Sequence, residues 1–343
     1  MPIGPNSAGS LPTGPARSGT GRSGPTLGES GEFALIARIV ADLPPSAEVV
    51  LGPGDDAAAL AIEPPVLTSV DVLVEGVHFR RDWSSAADVG RKAVAVNVAD
   101  IEAMGGRAVA VVVGLSAPAD LPLAWALELA DGIRSEGERA GVTLVGGDVT
   151  GARDVTISVT VLGGLDGGPL IRRSGAGSDQ VVALTGRTGW AAAGMAVLQR
   201  GFRSPRAVVE AQRVPEVPYG QGRVAAEAGA TAMIDVSDGL LADLGHVARA
   251  SGVMVELDLS AFPVPDVLRA VAAATGKDPY ALLLTGGEDH ALAACFSSAD
   301  QVPDGWRVVG RTRQIGEDEE PGVLVDGAPW KGAAGWDHFG GGR

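Results

Sequence analysis

The stretch Ala232-Met233-Ile234-Asp235-Val236-Ser237-Asp238-Gly239-Leu240, with the residues that follow it to Leu257, decides the fold class. Ala232–Ile234 is short and apolar and predicts a strand. Leu240, Leu241, Leu244 and Val247 recur at helical spacing and predict a helix over Leu240–Ser251. Val253–Leu257 is β-branched and predicts the next strand. A strand that runs straight into a helix and returns as a strand is the unit of α/β proteins. The turn between them carries Asp235 and Asp238 with almost no basic residue nearby.

The same alternation extends in both directions. Upstream, Val49–Leu51, Val66–Val72, Ala108–Leu115, Thr143–Val145, Val155–Leu162 and Val181–Leu184 predict strands. Glu32–Val40, Ala86–Met104, Leu123–Ala140 and Trp190–Arg200 predict helices, the first with Phe33, Ile36 and Val40 as its apolar stripe. Downstream, helices near 264–275 and 279–284 precede strands at 290–296 and 306–311. Gly163-Gly164-Leu165-Asp166-Gly167-Gly168-Pro169 is the best linker candidate. It divides the chain into α/β domains over 29–165 and 170–343. Residues 1–28 stand apart: 16 of the 28 are Gly, Pro or Ser, which predicts a disordered tail.

Composition narrows the function. With 343 residues and 45% hydrophobic content, each of two domains has enough chain to bury a core. A formal net charge of −15 argues against a general binder of nucleic-acid phosphates. The lone Cys295 excludes an internal disulfide and a Cys-based zinc cage, and suits a reducing, cytoplasmic setting. No apolar run approaches the ~18 residues of a membrane span, and no apolar N-terminal core marks a signal peptide.

Asp residues recur where a core strand or helix face is expected. Gly52-Pro53-Gly54-Asp55-Asp56-Ala57 places two carboxylates in a glycine turn after a strand, and Ser69-Val70-Asp71 places one within the run Val66–Val74. Ala93, Asn97, Asp100 and Met104 form one stripe of the helix 86–104. Gly146-Gly147-Asp148 follows the strand 143–145. A carboxylate buried without a partner costs several kcal/mol, so these groups must be paired, hydrated or metal-bound. Oxygen ligands without His or Cys favour Mg²⁺ over zinc, and magnesium held by few carboxylates commonly also binds phosphate. Taken singly each motif has an ordinary reading: Asp55-Asp56 as a turn, Asp238 as a helix cap, Asn97 and Asp100 as a solvated helix edge. No G-x-x-x-x-G-K-[ST] loop and no kinase-type His-Arg-Asp or Asp-Phe-Gly is present.

In order, the motifs Gly31-Glu32-Phe33, Gly52 to Ala57, Asp71 with Gly76-Val77-His78-Phe79, and Lys92 through Gly105 resemble the thiamine-monophosphate kinase family. So do Gly146-Gly147-Asp148, Arg173-Ser174-Gly175-Ala176, Ile234 to Leu240, Thr285-Gly286-Gly287-Glu288-Asp289-His290 and Trp336-Asp337-His338-Phe339. The Asp motifs are shared across the aminoimidazole-ribonucleotide synthetase-like superfamily; the Gly31, His78, Glu288 and Trp336 motifs are the specific ones. The resemblance implies an α/β (α+β) two-domain fold, with the N-terminal sheet forming a dimer barrel and a C-terminal α/β domain. It implies ATP-dependent phosphorylation of thiamine monophosphate to thiamine diphosphate in a cytoplasmic homodimer, with several Mg²⁺ ions. Asp56, Ser69, Val70, Asp71, Asp100, Asp148, Asp235 and Asp238 would hold the ions. Val70 stands where the family often has Thr, leaving only its carbonyl. Gly147, Asp148, Arg173 and Ser237 would contact ATP. His78, Glu288 and Trp336 would contact the thiamine end, where an indole face and a carboxylate suit a cationic ring. His290 stands where the family often has Tyr and is given no catalytic role.

Other readings within the superfamily use a different acceptor, such as a formylglycinamidine ribonucleotide or a carbamoyl group. Selenophosphate synthesis would need a reactive residue in an N-terminal glycine loop, where this chain has no Cys. Hydrogenase-maturation relatives use a C-terminal Cys, and this sequence ends Gly340-Gly341-Gly342-Arg343. A non-catalytic Mg-nucleotide binding module would be stabilised by nucleotide without transferring phosphate.

Overall fold

The computed structural model describes residues 24–41, 43–54 and 57–336. Helices α1 (Leu27–Ser30) and α2 (Glu32–Val40) lead into a hairpin of β1 (Val49–Leu51) and β2 (Ala59–Leu60). The N-terminal sheet follows, from β3 (Val66–Val74), β4 (Arg107–Ala117), β5 (Thr143–Gly151) and β6 (Thr156–Gly164). Its order is β3-β6-β4-β5, parallel only between β4 and β5. Helices α3 (Ala86–Ala103) and α4 (Leu123–Ala140) pack on each other and cover one face. Along β3 the side chains alternate, as extended backbone requires. Leu67, Ser69, Asp71 and Leu73 turn toward the helix side, and Val66, Val70 and Val72 are exposed on the other.

The C-terminal domain carries β7 (Val181–Thr185), α5 (Trp190–Gln199), α6 (Arg206–Arg213), α7 (Gln221–Glu227), β8 (Ala232–Val236), α8 (Leu240–Ser251) and β9 (Val253–Leu257). It continues with α9 (Asp266–Thr275), α10 (Pro279–Thr285), β10 (Ala291–Phe296), β11 (Arg307–Gln314), β12 (Gly322–Val325) and β13 (Ala328–Pro329). The sheet order is β13-β12-β9-β11-β7-β10-β8, antiparallel except between β9 and β12. One face buries Leu184, Ile234 and Val255 against Leu198, Leu244, Leu268 and Leu283 of the covering helices. The other buries Met233, Leu292 and Phe296 with Ala225 and Ala226 of α7, and with Ala103 of α3.

Helix α3 therefore lies between the domains, touching β3 and β6 on one side and β8 and α7 on the other. Its start is fixed by a reciprocal cap, Ser85 Oγ accepting from the Asp88 amide and Asp88 Oδ2 accepting from the Ser85 amide. Near its end, buried Glu102 accepts from the amides of Gly220 and Gly222 at 2.8 and 2.9 Å. Farther out, Glu136 of α4, fully enclosed, accepts from Tyr219 Oη at 2.8 Å and pairs with Arg91 and Arg139. These ties join the domains through charge-assisted hydrogen bonds, the stronger kind.

Several expectations change in detail. Composition places 24–28 in the tail, yet Thr26 caps α1, and the amides of Leu27 and Gly28 bond the carbonyls of Leu121 and Ala119. Those bonds are main-chain, so residue composition does not reveal them. The linker at 163–169 is shorter than its glycines suggest: β6 runs to Gly164, and Asp166 is held by Arg107 at 2.6 Å. Gly146-Gly147-Asp148 lies inside β5 rather than after it, because parallel pairing with β4 continues to Gly151. Of the stripe expected on α2, Phe33 is exposed and Leu35 is the buried residue.

The α3–α7 contact is close enough to admit only glycine at 222, where a Cβ would stand 1.9 Å from the Glu102 carbonyl oxygen. Gly222→Ala should destabilise the protein by about 3 kcal/mol or more. Gly151→Ala, where a Cβ meets nothing within 4 Å, should stay within about 0.5 kcal/mol of the parent. Denaturant unfolding of the two variants checks this contrast.

Candidate active site at the domain junction

Three segments bring carboxylates to the junction. From β3, Ser69 and Asp71 face α3. From α3, Asn97 and Asp100 face β3 one turn apart. From β8 and the turn after it come Asp235, Ser237 and Asp238. The Ser69 hydroxyl donates to Asp100 Oδ2 at 2.6 Å, and the Asp71 amide donates to Asn97 Oδ1 at 3.0 Å. Asn97 completes its bonding by donating to the Ala93 carbonyl at 2.8 Å. The polar interruption of the α3 stripe is thus a bridge to β3 rather than a solvated edge.

Electrostatics follows from this enclosure. Burial pushes the Asp100 carboxyl up to about 6; the charge of Asp235 adds to the rise, the Ser69 hydrogen bond opposes it and Asp71 adds again. Burial raises Asp71 as well, with His290 opposing and Asp235 and Asp238 reinforcing. Asp235 is 3% exposed and accepts from, or donates to, His290 Nδ1 at 3.1 Å. Burial disfavours a charged His290, but the hydrogen bond and charge of Asp235, with the charges of Asp71 and Glu288, outweigh it and raise its pKa. Sequence reasoning gave His290 no role; its contact joins positions 55 residues apart, which no local motif shows.

Asp238 is not the cap of α8. That task falls to Asp243, whose Oδ2 accepts from the amides of Asp238 and Gly239 at 3.1 and 3.0 Å. Burial, with Asp235 nearby, pushes Asp243 up to about 7. The Asp238 carboxylate is left for other partners. Asp289 is a further unexpected cap: its Oδ1 accepts from the Ala191 amide at 2.9 Å at the start of α5, and burial raises it to about 7.

Ser69, Asp100, Arg173 and Asp235 line one cavity of about 490 Å³. Gly147 and Asp148 line a second, mostly apolar cavity of about 650 Å³, with Phe33, Ile36, Ala130, Ile133 and Pro53. A Cβ on Gly147 would stand 2.2 Å from the Val113 carbonyl oxygen, so packing of β5 on β4 alone requires glycine there. Val70 turns its side chain to the face opposite Ser69 and Asp71 and is 56% exposed, which leaves only its main chain available. Asp56, Asp55 and the Asp337-His338-Phe339 segment lie outside the described residues.

The residues expected at the other end of the site also converge. His78 Nδ1 accepts from the Val74 amide at 3.1 Å. The Glu288 amide donates to the Ser237 carbonyl at 2.7 Å, and the Trp336 amide donates to the Asp238 carbonyl at 2.9 Å. Glu288 and Trp336 are therefore anchored to the main chain of the Asp235–Asp238 turn, with Trp336 57% exposed. Lys92, unremarked as a site residue in the sequence, pairs with Glu288 at 3.0 Å.

The donor set consists of carboxylates, a hydroxyl and carbonyls, without thiolate, which fits Mg²⁺. Among the described residues, no three carboxylate, imidazole or thiol groups are gathered to hold an ion by themselves. A hard cation here would take further oxygens from water and from a phosphate ligand.

A family model described as "AIR synthase related protein, N-terminal domain" matches residues 54–165, and "AIR synthase related protein, C-terminal domain" matches 177–319. A Mycobacterium tuberculosis protein named thiamine-monophosphate kinase is 50% identical over 318 residues, covering 92% of this chain and 94% of its own. The crystal structure of thiamine monophosphate kinase from Aquifex aeolicus superposes with TM-score 0.73 and 28% identity, covering 89% of this chain and 99% of that one. A complex described as AaThiL with AMPPCP and TMP gives TM-score 0.72 and 30% identity, covering 91% of this chain and 98% of its own.

The raised Asp100 predicts a stability trend with a definite sign. The folded carboxyl keeps its proton up to about 6, the ordinary one only to 3.8. Between these values the folded state holds the extra proton, so cation-free protein loses stability as pH rises through that window. Asp100→Asn should therefore raise the melting temperature of cation-free protein at pH 7.5, and should flatten its decline between pH 4 and 6. An unchanged or lower midpoint at pH 7.5 would contradict the electrostatic reading.

Proposed function

This chain belongs to the thiamine-monophosphate kinase family, and we propose that its interdomain carboxylates serve in-line, magnesium-assisted transfer of the ATP γ-phosphoryl group to thiamine monophosphate. Its activity is ATP-dependent phosphorylation of thiamine monophosphate, giving thiamine diphosphate. The observation that carries the mechanism is the convergence of Ser69, Asp71, Asp100, Asp235 and Asp238 on one junction, with no neutralising Lys or Arg among their hydrogen-bond partners in the described residues.

The residues divide by position. Asp71, Asp100, Asp235 and Asp238, with Ser69 and the Val70 carbonyl beside them, would hold Mg²⁺, joined by Asp56 and Asp148. When bound, the ions neutralise the two phosphate chains and the charge developing on the transferred group. Arg173 would meet phosphate oxygens, a role supported by its sharing a cavity with Asp100 and Asp235. Ser237 lies in the turn between Asp235 and Asp238. The apolar cavity with Gly147 and Asp148 in its lining supports seating the adenine there, with the phosphates leading toward the carboxylates. His78, Glu288 and Trp336 would take the thiamine end. The Trp336 ring offers a face to the cationic heterocycle, and Glu288 an acceptor.

The acceptor is a phosphate, largely ionised near neutral pH, so the chain needs no strong general base. Its work is to align the two phosphates and hold charge between them. One further expectation has support. The exposed Val66, Val70, Val72 and Val112 leave an apolar sheet face that suits a homodimer in which two N-terminal sheets form a barrel. No helix of the described residues is long and apolar enough to cross a membrane. Burial pushes the Cys295 thiol up to about 12, which makes it an inert core group.

Chromatography of protein incubated with ATP, Mg²⁺ and either thiamine monophosphate or thiamine tests the reaction. Thiamine diphosphate should form only from the monophosphate and only with the metal; its formation from thiamine, or without metal, would contradict the reading. Asp235→Asn and Asp238→Asn should each lower turnover by about two orders of magnitude or more while the circular dichroism is unchanged. Near-normal turnover in both would remove the metal role of these residues.

A further inference from the structure

Lys92 is one of three lysines in the chain and is 2% exposed, in the middle of α3. A buried ammonium is costly unless all its donors are used. Here three acceptors from three separate segments surround it. Glu288 Oε2 lies at 3.0 Å, the His78 carbonyl at 3.0 Å and the Gln212 carbonyl, in the last turn of α6, at 3.4 Å. An ammonium has three N–H donors, so the protein itself satisfies it.

Two of those segments carry the residues assigned above to the thiamine end. Glu288 has a left-handed backbone, φ 67°, and His290 beyond it has φ 51°. Such conformations are uncommon for residues with a side chain and persist where the surroundings hold them. The Glu288 amide is held by Ser237, and its carboxylate by Lys92. The His78 ring is held through Val74, and its carbonyl by the same Lys92.

We propose that Lys92 is the positioning residue of the thiamine subsite, one ammonium that sets the Glu288 carboxylate and the His78 segment at a fixed separation across the domain junction. The assignment rests on the reading that His78 and Glu288 contact thiamine monophosphate. With its three donors committed to protein acceptors, Lys92 acts through Glu288 and the 75–79 turn, and the ATP side of the site does not depend on it.

Steady-state kinetics of Lys92→Met, Lys92→Arg, Glu288→Gln and the double variant Lys92→Met/Glu288→Gln test this, each checked for folding by circular dichroism. Lys92→Met should raise KM for thiamine monophosphate about tenfold, leave KM for ATP within about twofold, and change kcat less than KM. Lys92→Arg keeps the ion pair but not the three-point geometry. It should shift the same constant in the same direction by a smaller factor, and it decides the matter if Lys92→Met does not fold. The double variant should be little worse than Glu288→Gln alone, since one residue acts through the other. Equal rises in both KM values, or no rise for thiamine monophosphate while Glu288→Gln shows one, would overturn the role of Lys92. An unchanged KM for thiamine monophosphate in Glu288→Gln would instead overturn the subsite assignment itself, and the proposal with it.

Discussion

The acidic junction between the domains governs the rest of the structure. Asp71, Asp100, Asp235 and Asp238 feel one another's charge inside a boundary formed by α3, β3 and β8, where the carboxylates are partly or fully buried. Like charges enclosed together cannot all be ionised without positive charge nearby. The His290 ring hydrogen-bonds Asp235, and the hydroxyl of Ser69 shelters Asp100. The remaining deficit gives an acidic protein a reason to accept cations, and through cations two phosphate-bearing substrates. A chain of net charge −15 would otherwise repel both.

Holding such a cluster requires a rigid frame, and α3 provides it. Fourteen of its 18 residues are buried, among them the polar Lys92, Asn97 and Glu102. Each of these three side chains ties the helix to a different segment: Lys92 to the 286–290 turn, Asn97 to β3, Glu102 to the start of α7. The helix face that would serve only packing in another protein here fixes the separation of the two domains. The geometry of the carboxylates is then a property of the fold and not of flexible loops, as catalysis by alignment requires.

Much of this was legible in the sequence. Leu240–Ser251, Leu123–Ala140 and Val253–Leu257 fall where periodicity places them, since their apolar spacing is matched by burial. The Asp residues at 71, 100 and 235 were visible as charges on strands and a helix face that ought to be apolar, and Asp238 as a charge in the strand-to-helix turn. What was not legible depends on contacts remote in the chain. The pairing of His290 with Asp235 spans 55 residues and that of Lys92 with Glu288 spans 196. Asp238 looked like a helix cap because it stands just ahead of α8, yet the cap position itself is Gly239 and the side chain that caps comes from Asp243 inside the helix. Helices α6 and α7 escaped notice because they are short and lie among Pro and Gly residues that read as loop.

The central claim is that the junction binds its anionic substrates through divalent cations held by these carboxylates. The most direct measurement is the melting temperature of the protein at pH 7.5 with a non-hydrolysable ATP analogue and thiamine monophosphate, with and without Mg²⁺. The account predicts a large rise in the midpoint only when metal, nucleotide analogue and acceptor are present together, with metal-free mixtures close to the unliganded protein. Equal stabilisation by the two phosphate compounds with and without divalent cation would contradict it.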